Sequence, residues 1–458
     1  MAMPVTARAP ISVADVIDGA GIGAMQIGLF TLCAICLILD GFDVQAIGYV
    51  APAIVQEWGI QSSALGPVFG AGNFGVLVGS LVFTMVADKV GRRPVLVIAT
   101  LFFSVLTILT ARANTIGELL VVRFVAGIGL GCIIPNATAL IGEYSPRRLR
   151  VTLMATVSVS FTAGAAIGGF VAAGLIPAFG WRSVFYLGGV LPMIAAVLMY
   201  IWLPESLQFL VVRRRNLDRV AGWLKQIDPS VKVDGTTEYQ VQEENRGGVP
   251  AVHLFREGRT AGTILLWIVN FMNIYNLYFL SNWLPTVVRG AGYPTSTAVL
   301  VGTALQVGGT LGTFWLTWLI AKRGFIPVLT TCFVAAAISV ALIGHPSLSL
   351  GLLFVVVFIA GSCVIGGQPM LNALSATYYP TYLRSTGIGW GLGIGRIGAI
   401  VGPVLGGEFL ALKWSIQSIF YVAAIPAVIT AVAMVLLRWA MSEATTSGRA
   451  DAGVMAHN

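Results

Sequence analysis

The sequence predicts an all-α polytopic membrane protein with twelve transmembrane helices in two parallel six-helix repeats. Three observations predict this fold class: an apolar composition, twelve apolar stretches of membrane-spanning length, and an internal repeat. Of the 458 residues, 57% are hydrophobic and 10% are charged, and the mean hydropathy is +0.87. Because soluble domains carry roughly 25% charged residues, this composition excludes an ordinary soluble enzyme.

The predicted helices account for most of the chain. A helix that crosses a bilayer needs about 20 consecutive apolar residues. Twelve stretches meet this requirement, and we number them spans 1 to 12: 26–51, 64–86, 95–111, 117–141, 152–176, 183–203, 261–285, 297–319, 326–343, 349–374, 386–409 and 416–437. They divide the chain into an N-terminal segment (1–25), a first bundle (26–203), a connecting segment (204–260), a second bundle (261–437) and a C-terminal tail (438–458).

The two bundles are related by an internal repeat. A shift of 234 residues, for example from Gly127 to Gly361, superposes one bundle on the other. Six spans is an even number, so the shift preserves orientation and predicts parallel repeats with the substrate path between them. Further matching pairs are Pro135 with Pro369, Tyr144 with Tyr378, Arg150 with Arg384, Gly164 with Gly398 and Gly168 with Gly402.

Basic residues collect in alternate connections between the spans. They lie at 89–93, 147–150, 213–259, 322–323 and 384, whereas the opposite side carries only Arg112, Arg182, Arg289 and Lys413. The positive-inside rule therefore predicts a multi-pass protein of the cytoplasmic (inner) membrane with both termini in the cytoplasm. The basic residues form no patch or stripe, so the sequence pI of about 9.4 does not indicate a nucleic-acid partner.

The five cysteines all fall within apolar stretches. This placement argues against a disulfide framework or a zinc site, and the sequence offers no nucleophile–base pair or metal-ligand cluster. We therefore expect a protein that is not an enzyme, binds no cofactor or metal, and acts as a monomer in the lipid bilayer.

Span 1 contains two carboxylates, Asp40 and Asp43, in an otherwise apolar run. A bare charge near the bilayer centre costs roughly several kcal/mol, so such an acid is paired, protonated or exposed to a water-filled cavity. Their i,i+3 spacing puts both on one helical face, where each disfavours the ionisation of the other. A pair of this kind can take up and release protons, and we predict a proton-coupling role for both acids.

Two arginines lie within the predicted spans. Counting residues from the helix ends puts Arg123 of span 4 at the depth of Asp43, which predicts a salt bridge or a competition with a substrate anion for Arg123. The alternative is that Arg123 extends to the membrane surface. Arg396 lies about 18 Å into span 11, where a fixed cation suits the carboxylate of an organic acid. Its alternative is a structural ion pair with Glu408 or another buried acid.

Polar amides and aromatic rings are concentrated on spans 7 and 10. Amides among aromatic rings suit a planar ligand with polar substituents, although each helix alone could use its amides to bond to neighbouring helices. Together with Arg396 and Arg123 they form the predicted substrate site. The amide and ring residues of this site are Asn273, Tyr275, Asn276, Tyr278, Gln368 and Asn372.

The connection after span 2, Ala87-Asp88-Lys89-Val90-Gly91-Arg92-Arg93-Pro94, resembles the signature loop of the major facilitator superfamily. This resemblance implies a gating role for Asp88 and Arg92, which would hold the cytoplasmic side closed through contacts between the halves. We expect Glu143, at the end of span 4, to join their charge cluster. The corresponding connection in the second half, at 321–324, has no acid, which predicts an asymmetric gate.

Several motifs together resemble the aromatic acid:proton symporter family of that superfamily. They are Asp40-Gly41-Phe42-Asp43, Arg123, Arg396, Pro204-Glu205-Ser206 and the glycine-rich span 11. The resemblance implies a symporter that imports benzoate-type or hydroxylated aromatic acids with protons, by a mechanism that requires both first-span aspartates.

Three alternatives to this function stay open in the sequence. The first is a proton-coupled carrier for a non-aromatic acid, such as a dicarboxylate or a shikimate-like compound. The second is a membrane sensor that binds an aromatic acid without moving it. An intramembrane enzyme is the third and has the least support.

Overall fold

The computed structural model describes residues 10–231, 237–240 and 251–455, apart from the side chains of 84, 151, 157, 158 and 441–455. Within this part of the chain, twelve helical segments are long and apolar enough to cross a membrane, which confirms the predicted number. The rest of the predicted N-terminal, connecting and C-terminal segments lies outside the described residues.

The spans begin and end within a few residues of most predicted stretches. Spans 1 to 6 are Ala24–Trp58, Ser62–Val90, Arg92–Thr110, Ile116–Tyr144, Arg147–Phe179 and Arg182–Trp202. Spans 7 to 12 are Thr260–Gly290, Thr295–Arg323, Phe325–Ile343, Leu350–Tyr378, Arg384–Ala411 and Ile416–Ala440. Two helices run well beyond their predicted ends: span 1 reaches Trp58, and the last helix continues to Met455.

Span 4 is interrupted near its middle. It consists of two helices, Ile116–Leu130 and Ile133–Tyr144, separated at Gly131 and Cys132. A Cβ on Gly131 would lie 2.3 Å from the carbonyl oxygen of Val76 in span 2. The break therefore coincides with a close approach of span 2, a contact that the hydrophobic period of span 4 cannot reveal.

The N-terminal and connecting segments pack against each other on one side of the bundle. They contain strands Ile11–Ser12 and Tyr239–Gln240, which pair in parallel, helices Val13–Gly19, Leu207–Val212 and Leu217–Ile227, and a short 3-10 helix, Ala251–Phe255. The Asp18 carboxylate also lies 3.1 Å from the Arg147 side chain at the start of span 5. We call this the connector side of the bundle, and the other the distal side.

Equivalent glycines make equivalent helix contacts in the two halves. A Cβ on Gly164 of span 5 would lie 2.0 Å from the Ile38 carbonyl of span 1, and one on its repeat partner Gly398 of span 11 would lie 2.5 Å from the Phe271 carbonyl of span 7. Because span 7 is the repeat of span 1 and span 11 that of span 5, the contacts follow the same pattern as the sequence repeat. Small residues of this kind let transmembrane backbones approach closely.

The halves contact each other toward the distal side and separate on the connector side. Asn73 of span 2 donates a 3.0 Å hydrogen bond to the Ala399 carbonyl of span 11, and a Cβ on Gly66 would lie 3.1 Å from Gly407. Further along span 2 toward the connector side, Leu81 and Met85 are each 63% exposed. Contact between the halves at one end of span 2 and exposure at the other end indicate a structure open to the connector side.

The contact between spans 1 and 5 depends on Gly41, where a Cβ would lie 1.9 Å from the Phe161 carbonyl oxygen. We expect Gly41→Ala to lower the free energy of unfolding by about 1–3 kcal/mol, because two backbones must separate. Thermal unfolding in detergent measures the loss. Gly28→Ala, in the same helix with nothing within 4 Å of the added Cβ, is the matched control; equal stability of the two variants would contradict the packing role.

Candidate functional site

The first-span motif, residues 40–43, is held by packing against spans 5 and 6. The Phe42 ring lies between two glycines, and a Cβ on Gly168 or on Gly188 would come within 2.8 Å of it. With Gly41 against span 5, these contacts fix the rotation of span 1 about its axis. The two acids of the motif are therefore turned into the interior of the first half.

Asp43 forms a buried ion pair with Arg123. The Arg123 Nη1 atom lies 3.1 Å from Asp43 Oδ2, and the two side chains are 4% and 0% exposed. Arg123 Nη2 also donates to the Asp43 backbone carbonyl at 3.2 Å, and Thr107 Oγ1 donates to Asp43 Oδ1 at 2.7 Å. The salt bridge predicted from depth is present, so Arg123 does not extend to the membrane surface. Together with Thr107 of span 3, the ion pair joins spans 1, 3 and 4.

Asp40 lies one turn away in a different environment. Its side chain is 1% exposed, and its Oδ1 atom has no hydrogen-bond partner among the described residues. The thiols of Cys36 and Cys132 and the Asp43 carboxylate are the titratable neighbours within its own half. The two acids are therefore not equivalent, because one has a permanent cation and the other does not.

Arg396 lies in the middle of span 11, and its side chain is half-buried. Within the described part of the chain it forms no hydrogen bond or ion pair. The alternative partner Glu408 is exposed and stands about 18 Å further along the same helix, so Arg396 does not pair with Glu408. The Arg396 charge instead acts on Asp40 across the boundary between the halves.

The amides of spans 7 and 10 form a hydrogen-bonded network. Asn273 Nδ2 donates to Gln368 Oε1 at 2.7 Å and to the Val364 carbonyl at 3.1 Å. Gln368 Nε2 in turn donates to Asn270 Oδ1 at 3.1 Å and to Asn372 Oδ1 at 3.3 Å. The amides therefore form hydrogen bonds between neighbouring helices, as the alternative interpretation predicted. Gln368 and Asn372 are nevertheless half-buried.

The predicted residues of span 7 do not share one face. Tyr275 is buried, packs against span 11 at Gly398 and Gly402, and stacks on Phe279 with ring centroids 6.2 Å apart. Asn276 is buried and its Oδ1 atom has no hydrogen-bond partner among the described residues. Asn276 is turned away from Tyr278, because two residues along a helix are about 200° apart, whereas Tyr275, three residues away, lies about 60° from it.

A small cavity between the halves connects Tyr278 with Arg123. Gln45 and Asn73 were missed in the sequence analysis, although Gln45 is a polar residue two positions after Asp43 in the same apolar run. Gln45 Nε2 donates to the Ser281 carbonyl of span 7 at 2.6 Å and Oε1 accepts from Gln306 of span 8 at 3.1 Å. The lining includes Gln45, Phe69, Asn73, Arg123, Tyr278 and Asn282.

Comparison with known families agrees with this architecture. A family model described as Major Facilitator Superfamily matches residues 33–395, with a second match over 266–453. The chain belongs to the major facilitator superfamily.

Relatives with assigned transport functions cover nearly the whole chain. The 4-hydroxybenzoate transporter PcaK of Pseudomonas putida is 38% identical over 407 residues, which are 88% of this chain and 91% of the relative. The gallate transporter of Pseudomonas putida is 37% identical, with 93% and 95% covered. The benzoate transport protein of Acinetobacter baylyi is 31% identical, with 93% and 92% covered. These similarities confirm the aromatic acid branch of the superfamily.

Solved structures of the superfamily share the fold at low identity. A bacterial homologue of the human lysosomal transporter Spinster, in an inward-facing conformation, has a TM-score of 0.67 at 17% identity, with 93% of this chain and 98% of that chain covered. The xylose transporter XylE of E. coli, in a partially occluded inward-open conformation, has a TM-score of 0.67 at 15% identity, with 89% and 97% covered.

The residues of the superfamily signature loop are divided in this structure. Arg92 Nε lies 2.9 Å from Glu143 Oε1, and Glu143 Oε2 accepts a hydrogen bond from Ser206 Oγ. Glu205 accepts from the backbone nitrogen of Arg92 at 2.9 Å. Glu143 therefore joins Arg92 as expected, within the first half. Asp88 is exposed and forms no ion pair among the described residues, so its predicted place in the cluster was wrong for this conformation.

Breaking the Asp43–Arg123 pair tests its structural weight. We expect Arg123→Gln to lower the free energy of unfolding by about 3–5 kcal/mol, because the Asp43 carboxylate is left buried without its cation. Adding Asp43→Asn recovers part of the loss, and unfolding of the three variants in detergent gives the coupling energy.

Arg396→Gln is the matched control, since it removes a mid-span cation that has no ion-pair partner in the described residues. We expect little change in stability. A similar loss for Arg396→Gln and Arg123→Gln would show that the ion pair has no special structural role.

Proposed function

We propose that this protein is a proton-coupled symporter that imports aromatic carboxylic acids of the hydroxybenzoate or benzoate class by alternating access. Relatives at 31–38% identity that transport 4-hydroxybenzoate, gallate and benzoate support this substrate class. Small aromatic carboxylates and protons are the expected partners.

The observation that carries the proposal is a half-buried cation of the second half whose charge acts on a buried acid of the first half. Arg396 is in the second half without an ion-pair partner among the described residues, and Asp40 is in the first half with one oxygen unpartnered. Their charges interact. A substrate carboxylate can take Arg396 only in competition with Asp40, and that competition favours binding when Asp40 is protonated.

We propose different roles for Asp40 and Asp43 because their hydrogen-bond and ion-pair partners differ. Both Asp43 oxygens have partners, Arg123 on one and Thr107 on the other. Asp40 has no such permanent partner in the first half, so removing its charge by protonation costs little and relieves a buried ion. In our proposal Asp40 carries the coupled proton, and Asp43 with Arg123 fixes span 1.

Ring recognition is proposed for polar and aromatic side chains of spans 7 and 10. Tyr278 and Asn282 line the cavity between the halves, and Gln368 and Asn372 are half-buried on span 10. An aromatic face and amide groups suit a ring with polar substituents. Asn273 acts by holding Gln368 through its 2.7 Å hydrogen bond.

We propose that the connector side is the cytoplasmic side of the inner membrane. The basic residues at 89–93, 147–150 and 322–323 lie in connections on that side, as the positive-inside rule requires. Both termini are then cytoplasmic, and the described conformation is open to the cytoplasm. Opening to the outside requires the distal contacts around Gln45 and Gly66 to break, while Asp88 and Arg92 approach the second half.

Uptake of labelled 4-hydroxybenzoate into proteoliposomes tests the function. We expect accumulation against a gradient only when protons are driven inward, and competition by unlabelled aromatic acids. Uptake of a ringless acid, with no uptake of any aromatic acid, would show that the protein is a carrier for non-aromatic acids. Binding without accumulation would indicate a sensor.

Variants separate the two charged groups in the same assay. We expect Asp40→Asn to abolish proton-driven accumulation but to retain exchange of labelled for unlabelled substrate, because the proton is no longer released. Arg396→Gln should weaken both processes by about 10- to 100-fold, the range for losing a hydrogen bond to a charged group. Glu408→Gln, an exposed change on the same span, should leave both intact. Normal proton-driven uptake by Asp40→Asn would refute the proton assignment.

A further inference from the structure

A groove opens on the connector side between the end of span 6 and the helix Leu217–Ile227. Its volume is about 480 Å³, and it is separate from the substrate site between the halves. Its polar side chains are Arg93 at the start of span 3, and Arg219 and Gln226 of the helix. Apolar residues complete the lining: Ile201, Trp202, Leu203, Pro204, Gly222 and Trp223.

The helix Leu217–Ile227 presents two different faces. Val220, Leu224 and Ile227 are buried in the apolar cluster that also contains Val13 and Ile17 of the N-terminal helix. The groove residues Arg219, Gly222, Trp223 and Gln226 follow the spacing i, i+3, i+4 and i+7, which defines a second face of the same helix. Nothing lies within 4 Å of a Cβ added at Gly222, so this face leaves space instead of packing on span 6.

The groove lies at the level where span 6 leaves the membrane. Span 6 ends at Trp202, and Tyr200, Ile201 and Trp202 are 67%, 59% and 66% exposed. Exposed tyrosine and tryptophan at the end of a transmembrane helix mark the boundary between hydrocarbon and headgroups. The opening of the groove therefore lies at the level of the phospholipid headgroups.

The charge in the groove is positive and is not balanced locally. Arg93 donates to the Tyr200 carbonyl at 2.5 Å and lies over the Tyr200 ring, but neither Arg93 nor Arg219 forms an ion pair within the described residues. The nearby Glu205 carboxylate is occupied by the backbone nitrogens of Arg92, Arg93 and Ser206. The segment 213–227 adds Arg213, Arg214, Arg215 and Lys225 against the single acid Asp218.

We propose that this groove binds the headgroup of an anionic phospholipid, with its phosphate between Arg93 and Arg219 and its acyl chains along Ile201 and Trp202. Two arginines supply charge-assisted hydrogen bonds to phosphate oxygens, and Trp223 and Gln226 add polar donors at the rim. Basic pockets beside transmembrane helices bind anionic lipids in this way. A lipid bound here joins the connecting segment to the ends of spans 3 and 6.

Thermal unfolding of the full chain in a neutral detergent tests the proposal. We expect added phosphatidylglycerol to raise the melting temperature by at least about 3 °C more than phosphatidylcholine does. Arg219→Gln, an exposed change that leaves the apolar face of the helix intact, should remove most of this difference. Arg93→Gln should remove it as well, if the variant folds.

The matched control is Arg215→Gln, which removes an exposed arginine of the same segment that does not line the groove. It should keep the response to phosphatidylglycerol. An equal loss in Arg215→Gln and Arg219→Gln would show diffuse attraction to anionic lipid and would overturn the groove. A melting shift of the same size with inorganic phosphate and no lipid would show that the ligand is a free anion. No effect of phosphatidylglycerol on the wild type would also refute the proposal, while leaving the transport function untouched.

Discussion

The ion pair between Asp43 and Arg123 is the interaction on which the rest of the site depends. Both side chains are almost completely buried. Removing one partner would leave an uncompensated buried charge, which costs roughly several kcal/mol. The pair can form only if spans 1 and 4 keep one register and one rotation. Thr107 adds span 3 to the same contact. With these three helices fixed, Asp40 is held one helical turn from Asp43, and no cation of the first half pairs with it.

Glycine contacts make each half a unit in which that pair can persist. Gly41 and Gly164 bring spans 1 and 5 into backbone contact, and Gly398 does the same for spans 7 and 11. A packed interior resists gradual deformation and favours discrete rearrangements. Motion is therefore expected between the halves, where the contacts are fewer, and the geometry around Asp43 is preserved while the halves rock.

The sequence predicted much of the fold because the bilayer restricts it. Twelve spans and their parallel repeat follow from apolar length and from the 234-residue shift, since backbone groups in lipid must be bonded within helices. The Asp43–Arg123 contact was predictable for a related reason: buried charges need partners, and residue counting gives depth. Rotation about the helix axis was not predictable. Tyr275 and Asn276 were placed in the site by their type, but the Tyr275 backbone packs on span 11 and Asn276 is turned away from Tyr278.

Conformation was the other property hidden from the sequence. The signature loop identifies Asp88 and Arg92 as gate residues by resemblance, but a single chain can hold them in two arrangements, and a sequence does not say which one is populated. In this structure Arg92 is bound to Glu143 within the first half. Asp88 is exposed because the halves are apart on its side.

The nature of the contacts between the halves explains how the protein can alternate. At the distal side the bonds from Gln45 to Ser281 and from Gln306 to Gln45 join neutral groups, and each contributes about 0.5–1.5 kcal/mol net. The strong buried ion pair lies inside one half and does not cross the boundary. Reorientation therefore breaks weak neutral bonds, glycine contacts and the long 3.4 Å hydrogen bond from Arg289 to Gln56, which a change of a few kcal/mol in the binding site can outweigh. In the mechanism that we propose, protonation of Asp40 while a carboxylate occupies Arg396 supplies this change at the boundary between the halves.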